Sequence, residues 1–440
     1  VPRLFGTDGV RGVAGVDLTA DLARSLARAA VAELRPSGPV VVGRDTRPSG
    51  QWLQAAVVEG LTGAGVDVVL LGVIPTPAVA RALVIGVPGL QVPASFGVVI
   101  SASHNPMLDN GIKFFGAGGL KLTDDVEAAI ERRVHDGAEA LDTEPGRIVV
   151  DLSADPQWYA DALLSGLPHP LDGLRVVVDC ANGAASTVAR TVYAGAGADV
   201  VVVFDDVSGD GINDGCGATH LEAVRAAVRE HRADVGIAHD GDADRCLAVT
   251  ASGDVVDGDA ILAILAVDLF DRGLLPGATI AATVMSNLGL ASALRSHGIS
   301  VAVTAVGDRS VTERMRADGL ALGGEQSGHI VLADQATTGD GILTALHLLA
   351  RVASSGRSLA ELASVLHRLP QVLVNVRVVD REAALSVVMP LAGEAAERLG
   401  DTGRVLVRPS GTEPLVRVMV EAPDADQAAD IAERLAASIR

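Results

Sequence analysis

Positive charge is in short supply here: 55 acidic residues face 35 basic ones, for a formal net charge of −20. Nucleic acids and anionic membranes need a basic footprint, so neither is an expected partner. A phosphorylated substrate would require the site to build a local positive field against that acidic background. Lysine is nearly missing; Lys113 and Lys121 are the only two, and the other basic side chains are arginines. With 49 glycines and abundant alanine and valine, this reads as coding bias. Lys113 stands out in such a chain, because an ammonium can be tuned in pKa and a guanidinium cannot. Cysteine occurs three times, at Cys180, Cys216 and Cys246, an odd number without C-x-x-C spacing. That argues against a zinc site and for a reduced, cytoplasmic setting. No apolar run approaches the ~20 residues of a membrane span. The long stretch over residues 66–90 is broken by Pro75, Pro77, Arg81 and Pro88. The start, interrupted by Arg3, Asp8 and Arg11, shows no secretory-signal pattern.

What is present is a globular composition, 49% hydrophobic and 20% charged, in a chain too long for one compact core. A repeat organises the first three-quarters. Residues 39–45 read as a buried strand, followed by a polar loop, a helical stretch and Gly63-Ala64-Gly65-Val66-Asp67-Val68-Val69. The pattern restarts at 174–180 and closes on Gly195-Ala196-Gly197-Ala198-Asp199-Val200-Val201. It restarts again at 279–285 and ends near Gly298-Ile299-Ser300-Val301. Each is a strand, helix, strand unit with a glycine turn at the helix end, the mark of parallel α/β layers. None of the glycine clusters matches G-x-G-x-x-G after a strand, so a dinucleotide-binding fold is not supported. The last seventy or so residues differ. Residues 373–379 alternate, 404–407 and 416–420 are further strands, and 425–439 form an amphipathic helix. The fold class is therefore α/β: three related α/β domains over residues 1–150, 151–255 and 256–370, plus a small C-terminal α+β domain over 371–440.

Four polar segments carry the chemistry. The apolar run Gly97-Val98-Val99-Ile100 ends in Ser101-Ala102-Ser103-His104-Asn105-Pro106, which places the Ser103 hydroxyl at the tip of a strand. Covalent phosphoryl transfer through serine needs an exposed hydroxyl and cations for the moving charge, and Lys113 lies a short distance on. His104 is open between a general base and a structural hydrogen bond. Asp240, Asp242 and Asp244 follow another apolar stretch at i, i+2 and i+4. Three carboxylates that close repel one another unless a hard cation joins them, and Mg²⁺ is the natural occupant. An EF-hand is excluded, since Arg245 stands where that loop needs glycine and Ala251 where it needs glutamate. A D-x-D-x-T phosphatase motif fails because Asp244 replaces the threonine. Arg245, directly beyond the cage, is placed to meet phosphate oxygens. Glu325, Ser327 and His329 alternate in a glycine-rich loop and could bind sugar hydroxyls or an amine, although a solvated turn explains them equally well alone. Arg408, Ser410, Gly411 and Thr412 form an anion nest, with Arg417 as a further cation. The opening Phe5-Gly6-Thr7-Asp8-Gly9-Val10-Arg11-Gly12 has similar character, with Arg11 facing the same cleft.

Taken together, from Leu4 to about Val420, these segments resemble the α-D-phosphohexomutase superfamily, with every signature in the expected order. The opening motif, the Ser103 segment, Thr283-Val284-Met285-Ser286-Asn287-Leu288-Gly289 and Glu325-Gln326-Ser327-Gly328-His329 are most similar to its bacterial branch acting on glucosamine phosphates. Members acting on mannose or glucose phosphates tend to differ at Gln326. The resemblance implies four domains around a central cleft, three related α/β domains with mixed sheets and a C-terminal phosphate-binding one. It implies that Ser103 is a phosphoserine whose phosphate, with Asp240, Asp242 and Asp244, holds Mg²⁺. Glu325 and Ser327, with His329, would read the sugar, while Arg408, Ser410, Gly411 and Thr412 grip the non-reacting phosphate. The implied reaction passes the phosphoryl group from Ser103 to the 1-hydroxyl of glucosamine 6-phosphate. The bisphosphate then turns over, and Ser103 recovers a phosphoryl group from position 6. Arg245 would stabilise the moving charge, Lys113 would assist proton transfer, and a sugar 1,6-bisphosphate would prime the phosphoenzyme. Small sugar phosphates are the implied partners; a homodimer and an activating kinase are further ones to look for. The rival readings are the same chemistry on glucose or mannose phosphates, and a non-catalytic Mg²⁺-dependent sugar-phosphate binder. One departure from the family is Ser310, where an aromatic is more usual; it bears on a contact at the cleft edge and not on the chemistry.

Overall fold

Runs such as Val40-Val41-Val42 and Val176-Val177-Val178 suit strands covered on both faces, and in the structure all six valines are fully buried. The computed structural model describes residues 3–6, 8–137, 144–409 and 414–440. The first sheet contains β1 (Val10–Val13), β2 (Val40–Arg44), β3 (Val68–Val73), β4 (Phe96–Ile100), β5 (Asp109–Gly116), β6 (Leu120–Lys121) and β7 (Ile148–Asp151). Their order is β1-β5-β4-β2-β3-β7, with β6 paired to β5. Helices α1 (Ala20–Leu34), α2 (Ser49–Gly63), α3 (Thr76–Ile85) and α4 (Asp124–Asp136) accompany it. Thr19 starts α1 by accepting the Leu22 N–H on its side chain. Leu26, Leu53 and Phe96 are buried in one cluster between helices and sheet, each contributing roughly 1.5–3 kcal/mol.

The second sheet holds β8 (Arg175–Asp179), β9 (Asp199–Val203), β10 (Val235–Ala238), β11 (Leu247–Thr250) and β12 (Val255–Val256) in the order β12-β11-β10-β8-β9. With it go α5 (Gln157–Ser165), α6 (Ala189–Gly195) and α7 (Glu222–His231). The third holds β13 (Thr279–Thr283), β14 (Ser300–Thr304), β15 (Leu322–Gly324) and β16 (Ile330–Leu332) in the order β14-β13-β15-β16. Along the same stretch of chain run α8 (Gly258–Asp271), α9 (Leu288–Ser296), α10 (Asp308–Asp318), α11 (Gly341–Ser355) and α12 (Leu359–Ala363). The fourth sheet is wholly antiparallel, β17 (Gln371–Arg377), β18 (Arg404–Pro409) and β19 (Leu415–Glu421), with α13 (Arg381–Leu399) and α14 (Ala425–Ala437) beside it.

The three-fold repeat is visible in the strand order. β2 to β5, β8 to β11 and β13 to β16 each pair as fourth-third-first-second. In each set the third strand runs parallel to the first and the fourth returns antiparallel to the third. The mixed sheets implied by the family resemblance are therefore present. So is the α+β character of the last domain. By packing, the chain falls into two compact units, Val1–Val284 with Val301–Ala363 and Met285–Ser300 with Ser364–Arg440. Within the second, Arg404 donates to the Ser286 carbonyl at 2.7 Å and Glu421 accepts the Leu288 N–H at 3.1 Å, which ties α9 to the C-terminal sheet. None of the described helices is long and apolar enough to cross a membrane.

Candidate active site

The turn between third and fourth strands is where each repeat places its polar segment. These turns carry Ser103 in the first repeat, Asp240 to Arg245 in the second and Glu325 to His329 in the third. Ser103 has φ +53°, a left-handed conformation that non-glycine residues seldom adopt and that costs of order 1–3 kcal/mol. The surroundings hold it there. The Ser101 hydroxyl donates to Asp45 at 2.6 Å and accepts the Ser103 N–H at 2.9 Å. Beneath lies Arg47, fully buried, which donates to Asp45 at 2.9 Å and to the carbonyls of Ser103, Asn105 and Asp109 at 2.9, 2.8 and 2.9 Å. It also donates to the Pro106 carbonyl. From the second repeat, the Asn213 amide adds bonds to the Ser103 and Asn105 carbonyls.

The sequence led us to expect an exposed Ser103 hydroxyl, and here the structure differs. Ser103 is only 2% exposed, because its Oγ lies under the second repeat and donates to Asp240 Oδ2 at 2.6 Å. Gly241 permits the approach: a Cβ there would stand 2.7 Å from the Ser103 carbonyl oxygen. His104 Nδ1 is 3.2 Å from the same hydroxyl. Burial, then Arg245 and Arg11, push the His104 pKa down to about 4.

Asp240, Asp242 and Asp244 are all buried and bring one oxygen each within 4.8 Å of the others, the only such cluster of ligand-type side chains among the described residues. Asp242 Oδ2 takes the Thr76 hydroxyl at 2.7 Å and the Lys113 ammonium at 2.9 Å. Asp242 Oδ1 and Asp244 Oδ1, however, are buried without a hydrogen-bond partner. Burial raises the Asp240 pKa, reinforced by Asp244 and Asp242. Burial also works against the Asp244 carboxylate, but His329, Lys113 and Arg245 outweigh it and hold its pKa well down. Two desolvated acceptors facing into an all-oxygen cluster fit a hard divalent cation such as Mg²⁺.

Cations surround this group. Lys113, on β5, is 3% exposed and bridges Asp242 and Asp8 at 2.9 Å each. Burial draws its pKa down, yet Asp242 and Asp8 together hold it above the ordinary lysine value. Arg11, on β1, donates to Asp8 at 2.7 Å and to the Ala102 carbonyl at 3.4 Å. Arg245 lies 3.9 Å from Asp240 and 3.8 Å from Asp244, with a buried Nε that has no hydrogen-bond partner.

The third turn rests on the second. Arg245 and His329 form an antiparallel bridge, and the Cys246 N–H donates to the Gly328 carbonyl at 3.0 Å. Glu325, Gln326 and Ser327 are half-buried, and Glu325 Oε1 accepts the Gly307 N–H at 3.2 Å. His329 is buried, its Nδ1 3.5 Å from Asp244 and its Nε2 3.6 Å from Asp308. Burial disfavours the charged ring and the two carboxylates favour it. The Gly339 N–H lies 3.0 Å from Nε2.

Arg408 belongs to the other unit. It is half-buried on β18 and stands opposite Arg417 of β19, so two like charges face each other across the ladder. Ser410, Gly411 and Thr412 lie outside the described residues.

Four consecutive segments match the phosphoglucomutase/phosphomannomutase family: its α/β/α domain I over residues 2–141, domain II over 159–253, domain III over 257–369 and its C-terminal domain over 373–438. The chain belongs to this family. A relative called phosphoglucosamine mutase from Frankia alni is 59% identical, covering 100% of this chain and 98% of its own. Among solved structures, a phosphoglucomutase/phosphomannomutase family protein from Burkholderia thailandensis superposes with a TM-score of 0.84 at 29% identity, over 98% of this chain and 96% of that one. Aspergillus fumigatus N-acetylphosphoglucosamine mutase, solved in complex with GlcNAc-6P and magnesium, shares the fold with a TM-score of 0.68 at 20% identity, over 99% and 95% of the two chains.

In this phosphoglucomutase/phosphomannomutase family member, sequence reading overlooked Asp45, Arg47, Thr76 and Asn213. The one signal was Arg44-Asp45-Thr46-Arg47 directly after a buried strand, the same strand-end position that drew attention to Ser103. Nothing in the local pattern of Thr76 or Asn213 marked them, since each acts on a segment more than a hundred residues away.

Proposed function

We propose that this chain is a phosphoglucosamine mutase, interconverting glucosamine 6-phosphate and glucosamine 1-phosphate through phosphorylated Ser103 and a 1,6-bisphosphate. The observation that carries this is the Ser103 Oγ held 2.6 Å from Asp240, in a group of three buried carboxylates flanked by Lys113, Arg11 and Arg245. The 59%-identical relative of that name, matched end to end, supports the choice of sugar. We assign the phosphoserine to residues 1–150, the metal ligands to 151–255, the sugar contacts to 256–370 and the phosphate grip to 371–440.

In the first half-reaction the bond between phosphorus and Ser103 Oγ breaks as the sugar 1-oxygen bonds to phosphorus. The hydroxyl proton leaves the sugar, and one returns to Ser103 Oγ. In the second, Ser103 attacks the 6-phosphoryl group of the reoriented bisphosphate and glucosamine 1-phosphate departs. Asp240, Asp242 and Asp244, with the phosphate on Ser103, would hold Mg²⁺, which when bound offsets the carboxylates and draws charge from the phosphoryl oxygens. Arg245 and Arg11 supply fixed donors to those oxygens. Lys113, clasped by two carboxylates, works as a cation and hydrogen-bond donor rather than as a base. Glu325 and Ser327 read the sugar. Arg408 with Ser410, Gly411 and Thr412 grips the phosphate that is not being transferred. A sugar 1,6-bisphosphate primes the unphosphorylated serine, and three unbridged thiols suit a cytoplasmic setting.

Peptide mass spectrometry on enzyme purified without phosphatase, paired with a glucosamine 6-phosphate turnover assay, tests the reading. Phosphate should map to Ser103 and activity should track its occupancy. Ser103→Ala should lower turnover by roughly three orders of magnitude or more with the fold intact. Full turnover in that variant, or none in primed wild type, would overturn the assignment.

A further inference from the structure

Both lysines of the chain end on one carboxylate. Lys113 reaches Asp8 Oδ2 at 2.9 Å, and Lys121 donates to Asp8 Oδ1. Lys121 also donates to Asp308 Oδ2 at the first turn of α10. That same oxygen lies 3.6 Å from His329, whose other ring nitrogen lies 3.5 Å from Asp244. Since Lys113 also contacts Asp242 at 2.9 Å, an alternating series runs Asp242, Lys113, Asp8, Lys121, Asp308, His329, Asp244. It begins and ends on carboxylates of the metal group. Its members come from all three repeats, and the Lys121 and Asp308 side chains are only 13% and 16% exposed.

The fold delivers Lys121 by a hairpin. β6 pairs back on β5 with Lys121 opposite Phe115. The intervening turn passes through Gly119, where a Cβ would sit 2.4 Å from the Ala80 carbonyl oxygen of α3. The Gly119 carbonyl accepts the Thr337 hydroxyl from the third repeat at 2.6 Å. The turn is thus pinned between two repeats, with Lys121 held against the start of α10.

Stability alone is a weak account of such a series. Desolvating buried charges offsets most of their attraction, and what the pairing secures is relative position. The choice of residue agrees. Thirty-three basic positions are arginine, yet both links to Asp8 from β5 and β6 are lysine. An ammonium is a compact donor that fits between two carboxylates on opposite sides, whereas the planar guanidinium fork needs more room and a different acceptor geometry.

We propose that Lys121 is a positioning residue which, through Asp8 and Asp308, holds Lys113 and His329 in one frame about the metal carboxylates. The test rests on the mutase reading for its kinetic arm only. With phosphorylated full-length enzyme, Lys121→Met should lower kcat for glucosamine 6-phosphate about thirtyfold and leave KM within about threefold. Lys121→Arg should keep the melting temperature yet recover no more than about a tenth of the turnover. Asp308→Asn, nearly isosteric, should behave like Lys121→Met and guards against a variant that does not fold. The double variant should be no slower than the worse single one, because the two act as a unit. The second arm is independent of turnover. The ring ¹³Cε1–¹H NMR signal of His329, assigned by its loss in His329→Gln, should move or broaden in Lys121→Met and in Asp308→Asn, while that of His347 stays put. An inactive wild type would count against the mutase reading alone, and the NMR arm would still decide this one. Folded variants with wild-type kcat, or an unmoved His329 signal, would overturn the proposal.

Discussion

A single arginine carries the Ser103 loop. Arg47 has five acceptors around its guanidinium and no exposure, so any replacement strands carbonyls and the Asp45 carboxylate in a dry site. Lysine, with three donors, cannot meet them all. Arg47→Lys should therefore destabilise the protein by about 3–5 kcal/mol in urea unfolding and reduce turnover although Ser103 is intact. His347 supplies a residue-scale test of pH. Its ring accepts from Gln335, and burial, with Arg272 adding, pushes its pKa down to about 4. The unfolded chain takes up a proton below about pH 6.5 while the folded one resists until about 4. The linked stability is thus whole above about pH 6.5 and is lost as pH falls toward 4, which amounts to about 2 kcal/mol between pH 7 and 5. In His347→Gln the stability difference between those two pH values should shrink by about that amount.

Elements decide how the polar turns meet. Each repeat uses its last hairpin to present one turn, and the turns stack through backbone contacts that leave no room for a side chain. Gly241→Ala would put a methyl 2.7 Å from the Ser103 carbonyl oxygen, a backbone atom with little freedom to retreat. We expect a stability loss of about 1–3 kcal/mol and a larger proportional loss of kcat, because the hairpins bearing Ser103 and Asp240 must separate. Calorimetry and steady-state kinetics on the same preparation would check both, and unchanged kcat would show that the hairpins need not touch. The strand and helix units, the repeat and the strands of the last domain were legible beforehand, since they rest on local periodicity and glycine turns. Hairpin stacking was not, because it depends on which edges face one another after the sheets form.

At the scale of the molecule the formal charge of −20 opposes an anionic substrate, while the local cations sit in buried positions that salt screens poorly. Raising ionic strength from about 10 to 150 mM should then increase kcat/KM for glucosamine 6-phosphate modestly, by no more than about threefold. A steep fall with salt would show that the cations act at long range instead. Residue order alone carried the chemical inventory: a serine at a strand tip, three alternating carboxylates, a glycine-rich loop with Glu325, Ser327 and His329 alternating, and an arginine followed by serine, glycine and threonine. These are contiguous motifs, and contiguity is what a linear reading detects. Tertiary structure decided the burial of the Ser103 hydroxyl, the support from Arg47 and Asn213, the turning of His329 toward two carboxylates and the bridge from Lys121 to Asp308. That last contact joins residues 187 positions apart. Side chains at such separations meet only through the pairing of strands and the docking of repeats, and no pattern in their own neighbourhoods records it.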